Sequence, residues 1–175
     1  MHVILVEPRF PANQRHFVRA LAEVGATVTA IGEGSKDSLD DEMRHYLTHY
    51  EEVKNVCDEQ AVLRAVRFVQ QFKPVDRIEA TVEAHILSTA RVREKAGIPG
   101  TSYRTAYLCR DKPAMKEVLR AGGIPCAAST GASTAAEVRA FAEQIGYPIM
   151  VKPRDGAGAS GATRGRSPCA GRAGF

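Results

Sequence analysis

"MVKPRDGAGASG" (residues 150–161) decides how this chain is read. A short apolar run ends at Lys152, and Pro153 opens a stretch with glycine at Gly156, Gly158 and Gly161. Glycine tolerates positive φ and lets backbone N–H groups approach a polyphosphate closely. Ser160 adds a hydroxyl and Lys152 a positive charge beside that path. The outer glycines have the spacing of G-x-x-x-x-G-K-[ST], but Ala162 stands at the lysine position, so the cation that reaches the outer phosphates is missing from that motif. Taken alone, the stretch fits a phosphate-binding loop and an exposed surface hairpin equally well. What lies upstream separates the two.

"YPIMVKP" (147–153) reads as a strand leading into the glycines. Before it, "STAAEVRAFAEQIG" (133–146) is a helix with Ser133 or Thr134 as N-cap and Glu137 spaced for a capping box. "RDKPAMKEVLRAGGIPC" (110–126) is another helix, with Asp111 and Lys112 at its start and a glycine stop. "IPCAAST" (124–130) fits a short strand. The first hundred residues alternate between strand and helix. "HVILVE" (2–7) is a buried strand, and residues 13–24 place Phe17, Leu21 and Val24 at helical spacing. "ATVTAIG" (26–32) is β-branched and alternating; "YLTHYEEV" (46–53) and "DRIEAT" (76–81) are further strands. Between them "DEQAVLRAVRFVQQFKP" (58–74) lines up Val62, Val66 and Val69 on one helical face. Such alternation implies a parallel sheet with helices on its faces. "IPGTSYRTAYLCR" (98–110) breaks the rhythm and marks a domain boundary near residue 103.

The "DK" helix ending in "GGIP", followed by the "GYPIMVKP" strand and its glycines, resembles the ATP-grasp superfamily, which includes biotin carboxylase and carbamoyl phosphate synthetase. Lys112 and Lys152 have the separation of that pattern, about forty residues. "VEAHILSTARVREKAGIPG" (82–100) is similar to the helix and turn that close the family's N-terminal domain. The resemblance covers roughly residues 1–161 and implies an α/β chain. A Rossmann-like parallel-sheet pre-ATP-grasp domain (1–103) would precede the first, small lobe of an ATP-grasp domain (104–161). It further implies ATP as ligand, with Lys112, Lys152, Gly156, Gly158, Ser160 and Gly161 as its binding residues. Glu83 matches an acidic position of the N-terminal domain, although a solvated charge at a helix start explains it equally well. His85 has no evident partner and reads as structural or exposed. No residue is singled out as catalytic and none as a metal ligand. The family's Mg²⁺ ligands belong to a second lobe beyond the glycines, so Mg²⁺ is expected only in a full-length parent.

The last residues differ in kind. Residues 162–175 hold Arg164, Arg166 and Arg172 but no Asp, Glu, Asn or Gln. With almost no aliphatic residue they cannot bury a face, and disorder is the expectation. Their Arg/Gly/Ala/Pro composition is that of a GC-rich gene read out of frame, which suggests a ligase truncated after the glycine-rich loop and inactive in this form. The alternative is a small non-catalytic nucleotide-binding or protein-interaction module with a genuine short tail.

The remaining bulk properties exclude several classes. The formal charge of +4 over 175 residues comes mostly from that tail, leaving the rest at +1, so no basic stripe for nucleic acid is present. The first strand runs into "EPRFPAN", which lacks the glycines of a dinucleotide site. No apolar run approaches the roughly 20 residues that span a bilayer. Cys57, Cys109, Cys126 and Cys169 form no zinc-type spacing or disulfide framework, which suits a reduced, cytoplasmic protein. An unpaired edge on "YPIMVKP" offers a route to a homo-oligomer.

Overall fold

The computed structural model describes residues 1–154 and 161–166. Two compact units divide the chain, Met1–Tyr107 and Leu108–Phe175. The first is built on β1 (His2–Val6), β2 (Thr27–Glu33), β3 (His49–Val53) and β4 (Arg77–Glu79). They form one parallel sheet in the order β3-β2-β1-β4. Helices α1 (Gln14–Glu23), α2 (Asp41–Tyr46), α3 (Glu59–Phe72) and α4 (Ile86–Lys95) follow the strands in turn. The chain is α/β with a parallel sheet, as the alternation implied.

Every residue of β1 is buried, because a parallel strand covered on both faces has no use for a polar side. Successive side chains point to opposite faces, and each face has its own core. Ile4 and Val6 pack with Ile31, Ile78 and the α3 stripe Val62, Val66 and Val69. Leu5 packs on the other side with Val28, Ala30, Val18 of α1 and Met43 of α2. The α3 face is the one the spacing predicts; of the predicted α1 stripe, Leu21 alone packs against the core. Phe17 and Val24 are exposed, while Gln14 and Val18 turn inward. Gln14 can be buried there because its Nε2 donates to the Thr81 hydroxyl beyond β4, a partner 67 residues away in sequence.

The turn after α4 shows why "GIPG" stands where it does. Gly97, at φ 68°, ends the helix, the Ile98 N–H reaches back to the Arg93 carbonyl at 3.0 Å, and Ile98 enters the core. This is a Schellman-type stop. A Cβ on Gly100 would lie 2.7 Å from Cδ of Arg93, so the second glycine makes room for a buried guanidinium. That group donates to the Ile78 and Thr101 carbonyls, each at 2.7 Å, and to Glu79 at 2.8 Å.

Tyr50 is held in a similar way. Its hydroxyl donates to the Gly34 carbonyl at 2.7 Å, and a Cβ on Gly32 would come within 2.9 Å of that hydroxyl. Burial, then the charge of Glu7, pushes its pKa from 10.0 up to about 12. The folded state therefore holds the proton more tightly than the unfolded chain. The stability this contributes is complete below pH 10 and is lost as pH rises through about 12. Urea midpoints followed from pH 9 to 12 should fall more steeply for the wild type than for Tyr50→Phe. Parallel curves would show that Tyr50 titrates normally.

Residues 98–110 contain α5 (Tyr103–Arg110), opened by Ser102, whose hydroxyl accepts from the Thr105 N–H at 3.1 Å. The division between the two compact units falls inside this helix. Two expectations fail. No strand forms over 124–130. The Ala127 carbonyl instead accepts from Lys116 Nζ at 3.4 Å and Arg120 Nη2 at 3.3 Å. The part of the tail at 163–165, expected to be disordered, is strand β6 (Thr163–Gly165), because backbone pairing with β5 (Ile149–Val151) needs no apolar side chain. Residues 167–175 lie outside the described residues.

The second unit also contains α6 (Lys112–Ala121) and α7 (Ala135–Ile145). Thr134 caps α7 with Glu137 in the expected capping box. Its described apolar side chains are much less buried than those of the sheet; Val118, Ile145 and Met150 are all exposed.

Candidate functional site

The candidate site is assembled from the start of α6 and the β5–β6 hairpin, both within Leu108–Phe175. α6 begins at Lys112, with proline next, where the missing N–H costs nothing. Asp111 is its N-cap, and Oδ1 accepts from the Ala114 N–H at 2.9 Å. Lys112 is thus held at the positive end of the helix dipole, where anions are favoured. The helix stops at "GGIP" by the same device as α4. Gly123 takes φ 74°, and the Ile124 N–H bonds the Leu119 carbonyl at 2.9 Å.

β5 and β6 run antiparallel, with Ile149 opposite Gly165, Met150 opposite Arg164 and Val151 opposite Thr163. Lys152 is the first residue beyond β5 and is exposed. Across the hairpin, Gly161 takes φ 70°, and a Cβ there would lie 2.8 Å from Cγ of Pro153. Only glycine fits both the backbone and the proline. The two arms therefore meet closely just beyond Lys152. Gly156, Gly158 and Ser160 lie outside the described residues.

A side-chain contact joins the two parts. Nε of Arg154 donates to Oδ2 of Asp111 at 2.6 Å, across 43 residues of sequence. It brings the chain at Lys112 and the chain just past Lys152 into one neighbourhood. Asp111 was legible as a helix start. Arg154 was missed, and nothing in its local sequence signals a partner. Glu83 belongs to the first unit, in a 3-10 turn ahead of α4.

Two lysines, a helix N-terminus and a glycine at positive φ suit a polyphosphate. The fit to a metal is different. Among the described residues, no three His, Cys, Asp or Glu side chains converge to hold an ion. Nor, among those residues, is any helix long and apolar enough to cross a membrane.

Residues 111–167 match the family model described as carbamoyl-phosphate synthase L chain, ATP binding domain. The match starts at Asp111 and takes in all six candidate residues. An L-arginine-specific L-amino acid ligase of Bacillus subtilis is 34% identical over 115 residues, 66% of this chain and 28% of that protein. Among solved structures, an L-amino acid ligase from Bacillus licheniformis superposes with a TM-score of 0.71 at 21% identity. The overlap covers 95% of this chain and 39% of that one. The biotin carboxylase domain of Hydrogenobacter thermophilus 2-oxoglutarate carboxylase, solved with MgADP, ADP and bicarbonate, gives 0.72 at 22% identity, covering 94% and 37%. These two likenesses concern the fold. The chain spans less than a third of the length of the curated ligase it matches. It is related to the ATP-grasp ligases, with residues 111–167 matching their ATP-binding domain.

Proposed function

We propose that the chain supplies the ATP-phosphate-binding part of an ATP-grasp ligase that joins a carboxylate to an amine or thiol. In that reaction a carboxylate oxygen attacks the γ-phosphorus and ADP leaves. The nucleophile then attacks the acyl carbon and phosphate leaves. Phosphoryl transfer of this kind depends mainly on positioning and charge neutralisation, which is the work assigned to Lys112 and Lys152. Gly156, Gly158, Ser160 and Gly161 are proposed to bring backbone and hydroxyl donors to the same phosphates. Mg²⁺ would supply further charge neutralisation at the phosphates, although no cluster of His, Cys, Asp or Glu among the described residues fits it. The chain is proposed to bind nucleotide in the cytoplasm. The observation that carries the reading is the Asp111–Arg154 contact. Inside the matched segment, it gathers the two lysine-bearing stretches that resemblance had paired only by spacing.

Calorimetric titration tests it. The chain should bind ATP more tightly than AMP, and Lys152→Ala should weaken ATP at least about fivefold, since a charge-assisted contact contributes about 1.5–3 kcal/mol before solvent screening. AMP should change less than about twofold. Equal affinity for ATP and AMP, or an unchanged ATP affinity in the variant, would overturn the assignment.

A further inference from the structure

We infer that Asp111 and Arg154 form a joint that sets the hairpin arm carrying Lys152 against the start of α6. On this view Arg154 is a positioning residue for polyphosphate binding; the inference rests on the nucleotide reading above. Both carboxylate oxygens of Asp111 have work to do. Oδ1 caps α6 through the Ala114 N–H and Oδ2 accepts from Arg154, so a single side chain, only 10% exposed, specifies the helix start and the hairpin arm together.

The hairpin base is defined twice over. Pro153 lies against Gly161, where a Cβ would clash, and the next residue, Arg154, ties that arm to α6. Arg154 itself is 66% exposed, and a pair with one exposed partner contributes little to global stability. Its consequence is geometric. A base ordered before the ligand arrives removes part of the ordering cost of binding. A polyphosphate that needs both lysines at once gains most from this, whereas AMP gains little.

The test uses the full chain with Asp111→Asn, Arg154→Gln and the double variant. Asparagine is as good an N-cap as aspartate, so Asp111→Asn removes the charge pair and keeps the cap. Amide exchange is read at Val151, Lys152, Ala162 and Thr163 without ligand, and at α3 as control. Calorimetry then gives the affinities for ATP and AMP. Each single variant should speed exchange at the hairpin base about threefold and leave α3 unchanged. ATP affinity should fall about three- to tenfold and AMP affinity less than twofold, with the double variant no worse than either single one. A merely structural role would move ATP and AMP together.

Unchanged exchange in both single variants overturns the joint, whatever binding does. Faster exchange with unchanged ATP affinity overturns the positioning role. A wild-type chain that binds no ATP overturns the nucleotide reading and the positioning role with it; the exchange comparison still decides whether the joint exists.

Discussion

Arg93→Met should destabilise the sheet-bearing unit by about 3 kcal/mol, the scale of removing one partner from a buried, hydrogen-bonded charge network. The Arg93 side chain is 5% exposed. Its guanidinium serves the carbonyls of Ile78, at the end of the sheet, and Thr101, beyond the glycine turn. Methionine fills much of the stem volume but donates nothing. The buried Ile78 carbonyl loses its donor, at about 1–3 kcal/mol where no water enters, and the part-buried Thr101 carbonyl adds a smaller loss. Glu79 adds little, because its side chain is half exposed and rehydrates when the guanidinium goes. Urea unfolding of the full chain, with amide exchange read in β1 and β4, measures the loss. A change below about 1 kcal/mol would show that water replaces the guanidinium, and that Gly100 is not there to admit it.

Ile4→Ala should cost as much or more, about 3–4 kcal/mol, because Ile4 is fully buried in the central strand and contacts from β2, β4 and α3 cannot all collapse onto the space it leaves. Val118→Ala on α6 provides the contrast. That side chain is 44% exposed, and its truncation should cost less than about 0.5 kcal/mol. Denaturation midpoints of the two variants, measured side by side, separate the sheet core from the sparsely buried second unit. Similar losses would mean that the described faces of α6 are covered in solution.

The elements of the sheet were legible because a strand covered on both sides leaves a continuous apolar run, as in "HVILV", and a covering helix leaves a stripe, as in Val62, Val66 and Val69. Helix ends were legible where the signal is local: Thr134 with Glu137, and Gly97 and Gly123 at positive φ. Of the face of α1, only Leu21 was legible. The rest of that stripe is set by where the sheet lies, and Gln14 takes a buried place because Thr81, far along the chain, meets it. β6 was hidden for the opposite reason. "TRG" has no apolar pattern, and only the register against β5 makes it a strand.

At the candidate site the division runs along the same line. By itself the sequence determined the kinds of residue and their order: a lysine after a helix cap, a lysine at a strand end, glycines beyond it. Those depend on local conformation and on chemistry carried by single side chains. Only the tertiary structure decided that Arg154 meets Asp111 and that Pro153 rests against Gly161. Both contacts need the chain to fold back on itself, and no local preference for φ, ψ or burial encodes which partner will be waiting.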